Sequence, residues 1–251
     1  MRSELHIRLR RHANGVVAAS GSLAVPPYWC RWDGTTLWLV GSAATPVGDD
    51  DVSLHLEVGE GVTATVRSVA ATVVYAASGD GTRLHTHLRV GAGADLRWQP
   101  DPVIVTARAR HRSSTTIEVD PEGSLLADEL VVLGRSDERA GRFRGSLELR
   151  LGGAPALHTA FDTAAPGWDG PGGTGGAKVV ATRVLVDPLD ARPHPEAEVA
   201  PTVSARAVLL RPERGGAVIT ALAAGPTDAR AALDELSVAA GRHRAADLLT
   251  V

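Results

Sequence analysis

Short apolar runs of period two, broken by glycine-bearing turns about every ten residues, confine this chain to a β architecture. Leu5-His-Ile-Arg-Leu9 opens the pattern. Val52, Leu54, Leu56 and Val58 then alternate with Ser53, His55 and Glu57, and Leu84 to Val90 follows the same rule. Alternation places successive side chains on opposite faces, as a half-buried strand requires. The densest β material lies between Ala94 and Arg150, with runs at Val103–Ala107, Thr115–Val119 and Gly145–Leu151. Within it, Leu126–Arg135 reads as an apolar strand with acids at one end and Gly134-Arg135 at the other. In the last run Phe143, Leu147, Leu149 and Leu151 share one side, and Arg142, Arg144, Glu148 and Arg150 the other.

The punctuation is informative too. Asp33-Gly34, between two β-like runs, predicts a hairpin, because glycine accepts positive φ without steric cost. Gly59-Glu60-Gly61 and Gly79-Asp80-Gly81 are further turns. The turns differ from one another, so no sequence repeat is read. Pro166–Ala177, rich in glycine and proline, is expected as a mobile loop. One segment breaks the β pattern. Ala229, Ala232, Leu233, Leu236 and Ala240 fall on one helical stripe, which predicts a C-terminal helix over residues 226–241. Thr227 or Asp228 would cap it and Gly241 would end it. The expectation is a mainly β single domain over 1–251, with layered or sandwich-like sheets and one or two helices.

Composition narrows function by exclusion. A net charge of -3 and no basic stripe argue against nucleic acid as a partner. Lys178 is the only lysine, so nearly all positive charge is arginine. A single cysteine, Cys30, excludes an internal disulfide and any multi-cysteine zinc site. The N-terminal residues lack the apolar stretch of a signal peptide, and no run approaches the ~20 apolar residues of a spanning helix. A cytoplasmic protein without membrane contact is expected.

Candidate chemistry is sparse. His85 and His87 share one face of a strand and could share an ion, although two solvated histidines are the ordinary reading. Asp49-Asp50-Asp51 could hold a hard cation but lacks the remaining ligands of a calcium loop. Asp128 and Glu129 must face opposite ways on their strand. Whichever points inward needs a partner, for which Arg135 is a candidate. No Gly-x-Ser-x-Gly elbow occurs, and the glycines of 172–176 lack the Gly-Lys-Ser/Thr ending of a phosphate loop.

The order of several segments resembles the urease accessory protein D family (UreD, called UreH in some organisms). They are Pro46-Val-Gly48-Asp49, Leu54–Val58, Arg67-Ser-Val-Ala-Ala-Thr72-Val-Val-Tyr75 and Leu96-Arg-Trp98-Gln-Pro100-Asp-Pro102-Val-Ile104. Leu126-Ala-Asp-Glu129, Leu133-Gly134-Arg135 and Gly141-Arg-Phe143 complete the series. Departures at Arg67, Ser68, Val69 and Val73, with a single Gly48, mark a divergent branch of the kind met in GC-rich genomes. The resemblance implies a β-rich scaffold without catalysis of its own. Such a scaffold binds the F-type accessory protein, through it the GTP-hydrolysing G-type one, and apo-urease; it allows a homodimer within the accessory complex. It holds no permanent cofactor; nickel passes in transit through a polar internal channel. Asp49, Glu129 and Arg135 are the positions carried over as polar groups of the sheet interior or channel. The alternative from residues alone is a β-sandwich enzyme or ligand-binding module using His85, His87 and a remote acid.

Overall fold

The computed structural model describes residues 1–76, 79–188, 198–201 and 205–240. The chain opens with β1 (Arg2–Arg11), β2 (Val17–Gly21), β3 (Ala24–Val25), β4 (Tyr28–Trp32) and β5 (Thr36–Gly41). β4 and β5 form the expected hairpin around Asp33-Gly34, with Trp32 opposite Leu37. Asp33 fixes the turn by accepting from the amides of Thr35 and Thr36 at 3.0 and 2.7 Å.

The middle of the chain winds in coils. It runs through β6 (Asp51–Val58), β7 (Thr63–Ser68), β8 (Thr72–Val74), β9 (Thr82–Val90), β10 (Asp95–Trp98), β11 (Val103–Val105), β12 (Arg110–Val119), β13 (Ser124–Leu133) and β14 (Arg142–Leu151). β6, β9, β12 and β14 stack in parallel in one sheet; β5, β7, β10 and β13 stack in parallel in another. Glycine turns such as Gly59-Glu60-Gly61 therefore hand the chain from one sheet to the other instead of folding it back. Val52, Leu84, Ser113 and Gly145 align across the first sheet, so partners recur about every thirty residues, the spacing of a solenoid. This repeat exists in space without a matching repeat of residues.

Antiparallel strands close the ends. The first sheet has the order β15-β14-β12-β9-β6-β1-β2, with β15 at Ala154–Asp162. The second continues from β13 through β16 (Val179–Val186), β19 (Ala217–Ala223), β18 (Ala205–Leu210) and β17 (Glu198–Pro201). The Pro166–Ala177 segment expected as a mobile loop is a series of turns. Thr174 donates its amide to the Trp168 carbonyl at 2.7 Å, Gly175 to Gly170 at 2.9 Å, and the Thr174 carbonyl receives the Arg206 guanidinium.

The helix, α1, spans Pro226–Ala239 and packs on β16, β18 and β19. Neither Thr227 nor Asp228 caps it. Gly225 is the N-cap, without a side-chain hydrogen bond, and Pro226 sits in the first turn, where its missing N–H costs nothing. Ala229, Ala232, Leu233 and Leu236 are buried as their spacing requires. Gly241 lies outside the described residues. No helix among the described residues is long and apolar enough to cross a membrane.

Two apolar clusters fill the space between the coil sheets. The larger centres on Leu54, Leu88, Leu96, Ile117, Leu125 and Leu149. The smaller joins Val74, Val105, Ala109 and Phe143 at the other end of the strands. A third cluster, with Leu130, Val179, Leu209 and Ile219, lies under α1 on the opposite face of the second sheet.

Candidate functional site

β13 is the strand on which the chemistry converges, because it faces two different compartments. Asp128 points toward α1 and Glu129 toward the first sheet, as adjacent strand positions must. Neither is paired with Arg135. Asp128 takes a bidentate contact from Arg183, directly opposite it on β16, at 2.6 and 2.8 Å. Arg183 also donates to Asp234 at 2.7 Å and to Ser237 at 2.9 Å, both on α1. With Arg183 only 3% and Asp128 only 4% exposed, this is a buried ion network that ties helix to sheet.

Glu129 sits between the two inter-sheet clusters and accepts a hydrogen bond from the Thr115 hydroxyl on β12, across the sandwich. Desolvation pushes its pKa above the ordinary carboxylate value, and the Thr115 hydroxyl opposes that shift. The inward side chains beside it are also unlike a core. Thr86 and Thr115 are buried hydroxyls, while Leu84, Ser113, Gly145, Val103 and Val131 are only half buried. The inward positions of the larger cluster, Leu88, Ile117 and Leu149, are buried. The coils therefore have a polar waist, partly open to water, between two apolar plugs. Gly145 adds no side chain to the waist. The Phe143 ring lies back over it, 2.8 Å from where a Cβ would stand.

The other expected residues lie elsewhere. Arg135 is on the surface, where its guanidinium donates to Glu138 at 2.6 and 3.1 Å and holds that carboxyl down to about 2. The physical reason is Gly134: with φ at 89° it ends β13 and turns the chain outward. Asp49 is likewise exposed, accepting the Gly81 amide at 3.0 Å. Asp50 is the buried member of that triplet, accepting from Thr45 at 2.7 Å, from the Val47 amide at 3.0 Å and from the Met1 ammonium. Neither Asp49 nor Arg135 is an interior group.

His85 and His87 do share the outer face of the first sheet, but their partners lie across strands and not along β9. His85 Nδ1 is hydrogen-bonded to the Ser114 hydroxyl at 2.7 Å, and its Nε2 is 3.6 Å from Asp51. That row has the residue types of a hydrolytic triad. However, the acid stands beyond hydrogen-bond length, and β12 is paired on both sides, so its amides serve the ladder and not an oxyanion. His87 stacks on His55 of β6, which stacks on His6 of β1; each pair has ring centroids 4.4 Å apart. His6, His55 and His87 are aligned by register. The signal for this ladder was present in Leu5-His6-Ile7, Leu54-His55-Leu56 and Thr86-His87-Leu88, but only the coil register brings the three together.

Fold and side chains together define a class: a two-sheet β-solenoid protein with a polar waist and, among the described residues, no completed catalytic constellation. Comparison with known proteins places it further. A family model described as "UreD urease accessory protein" matches residues 4–248. The chain is 34% identical over 226 residues to "Urease accessory protein UreD" of Streptomyces avermitilis, covering 88% of each. It is 31% identical over 238 residues to "Urease accessory protein UreD 1" of Saccharopolyspora erythraea, covering 94% of this chain and 85% of the relative. "Urease accessory protein UreD 2" of the same organism is 32% identical over 202 residues, 78% of this chain and 71% of the relative. The chain belongs to the UreD family of urease accessory proteins.

Proposed function

We propose that this protein serves urease maturation as a non-catalytic scaffold. It holds apo-urease together with the F-type and G-type accessory proteins and gives nickel a route toward the urease metal centre. Family membership over nearly the whole chain supports the accessory role. The observation that supports the route is Glu129, an inward carboxylate in a half-open polar waist where a packed apolar core would otherwise be expected. Burying such a charge costs several kcal/mol unless it is paired or wet, so an apolar side chain would serve a purely structural role better. A carboxylate flanked by hydroxyls suits transient contact with a hydrated divalent cation. Nickel in this reading is cargo, with no permanent cofactor.

Glu129→Gln tests the route. The amide keeps the size of the side chain and can still accept from Thr115, while losing the charge that a cation needs. Fold and recovery of the complex with urease and the other accessory proteins should be retained, and urease activation should fall. Melting temperature, co-purification and urease activity measured on the same preparations decide it. Full urease activation by the variant rejects Glu129 as part of a nickel route. A variant that fails to co-purify with urease shows a structural role instead.

A further inference from the structure

The outer face of the first sheet carries a donor set that the accessory role does not use. Glu4 and His6 lie two residues apart on β1, so both project from the same face, and His55 on β6 stands directly opposite His6. One oxygen of Glu4 lies 3.0 Å from His6 Nε2 and 3.4 Å from His55 Nε2. All three donor atoms fall within 4.8 Å of one another. Ligand bonds of about 2.1 Å allow two donors on one ion to stand up to about 4.2 Å apart. Glu4 already lies within that span of both nitrogens, so the remaining movement is of the His6 ring, 55% accessible, relative to His55.

The stack sets where the rings start. In-register strands bring His6, His55 and His87 into a stack whose planes deviate by 5° and 3°. Imidazole lone pairs lie in the ring plane, so parallel rings do not aim at one ion; binding turns the exposed His6 ring out of the stack while His55 stays in it. His87 closes the stack on the far side of His55 and acts as a positioning residue. The side of the row away from Glu4 is occupied by ion pairs of Glu57 with Arg8 and Arg10, each at 3.2 Å.

We propose that Glu4, His6 and His55 form a surface site for one late first-row divalent cation of the zinc, cobalt or nickel class. Two imidazole nitrogens and one carboxylate oxygen suit these ions, and water takes the remaining positions. The site is distinct from the waist, and the proposal stands whether or not the protein delivers nickel.

Tag-free full-length protein is titrated with Co²⁺ and Zn²⁺ by calorimetry, with the visible spectrum of Co²⁺ as a second readout. One equivalent should bind. His6→Gln and His55→Gln should each weaken binding at least tenfold with unchanged melting temperature, and His85→Gln should leave it intact. His87→Phe, which keeps a ring in the stack, should bind as the parent does, whereas His87→Ala should bind several-fold more weakly with an altered Co²⁺ spectrum. Absence of saturable binding, or equal affinity in parent, His6→Gln and His55→Gln, overturns the site. A tenfold loss in His85→Gln moves it elsewhere and also overturns it. A loss in His87→Phe equal to that in His87→Ala overturns the bracing role. Cation binding lost while urease activation persists supports a site separate from the delivery route.

Discussion

His111 gives the sharpest test of the interior. It is 2% exposed on the inward face of β12, hydrogen-bonded through Nδ1 to the Thr82 hydroxyl at 2.7 Å, while the described residues give its Nε2 no partner. Burial depresses its pKa from 6.5 to about 4. The folded protein therefore keeps this ring neutral over a range in which the unfolded chain protonates it. The stability involved is fully present above the unfolded value of 6.5 and is lost as pH falls toward about 4. At about 1.36 kcal/mol per pH unit, the ceiling is about 3 kcal/mol, and about 2 kcal/mol of it disappears between roughly pH 7 and 5. His111→Phe retains a ring of similar size against Phe143, whose centroid is 6.0 Å away, and removes the titration. Urea unfolding of parent and variant at pH 7, 6 and 5 isolates the effect, because the carboxylates titrate in both and cancel. The stability difference should move by about 2 kcal/mol in favour of the variant from pH 7 to 5. A difference that stays constant across that range refutes a buried neutral histidine.

Other outcomes follow from the same fold. Arg183→Met leaves Asp128 buried without its cation and should cost about 3–5 kcal/mol in urea unfolding, while Arg183→Met with Asp128→Leu should recover most of it. A loss below about 1 kcal/mol in the single variant means that water reaches the network. Gly145→Ala places a methyl 2.8 Å from the Phe143 ring and should cost about 1–3 kcal/mol, with Phe143→Leu relieving it. The Ser114–His85–Asp51 row should hydrolyse no activated ester faster than a Ser114→Ala control, and measurable turnover lost in that control would restore the enzyme reading.

Faces were legible in the sequence; neighbours were not. Alternation alone places Phe143, Leu147 and Leu149 inward, sets Asp128 against Glu129, and gives the buried stripe of α1. What alternation cannot supply is the strand lying alongside. A glycine turn reads the same whether it makes a hairpin, as at Asp33-Gly34, or passes the chain to the other sheet, as at Gly59-Glu60-Gly61. The ion partners show the same limit. Arg183 reaches Asp128 from 55 residues away and Thr115 reaches Glu129 from 14, each through strand register. Arg135, the nearer cation along the chain, is turned outward by Gly134.

Stacked parallel coils are an open-ended object, since each rung exposes a row of amides and carbonyls on which another extended segment could build. Here three of the four edge strands, all but β2, carry or run into a proline. β15 carries Pro155 at its second paired position, opposite Arg150 and beside an irregularity at Leu149/Arg150. β3 is two residues long and runs straight into Pro26-Pro27, and β17 ends on Pro201. Each proline withholds an N–H that a docking strand would need. A protein whose interior is built like the first turns of a fibre thus discourages growth at three of its edges.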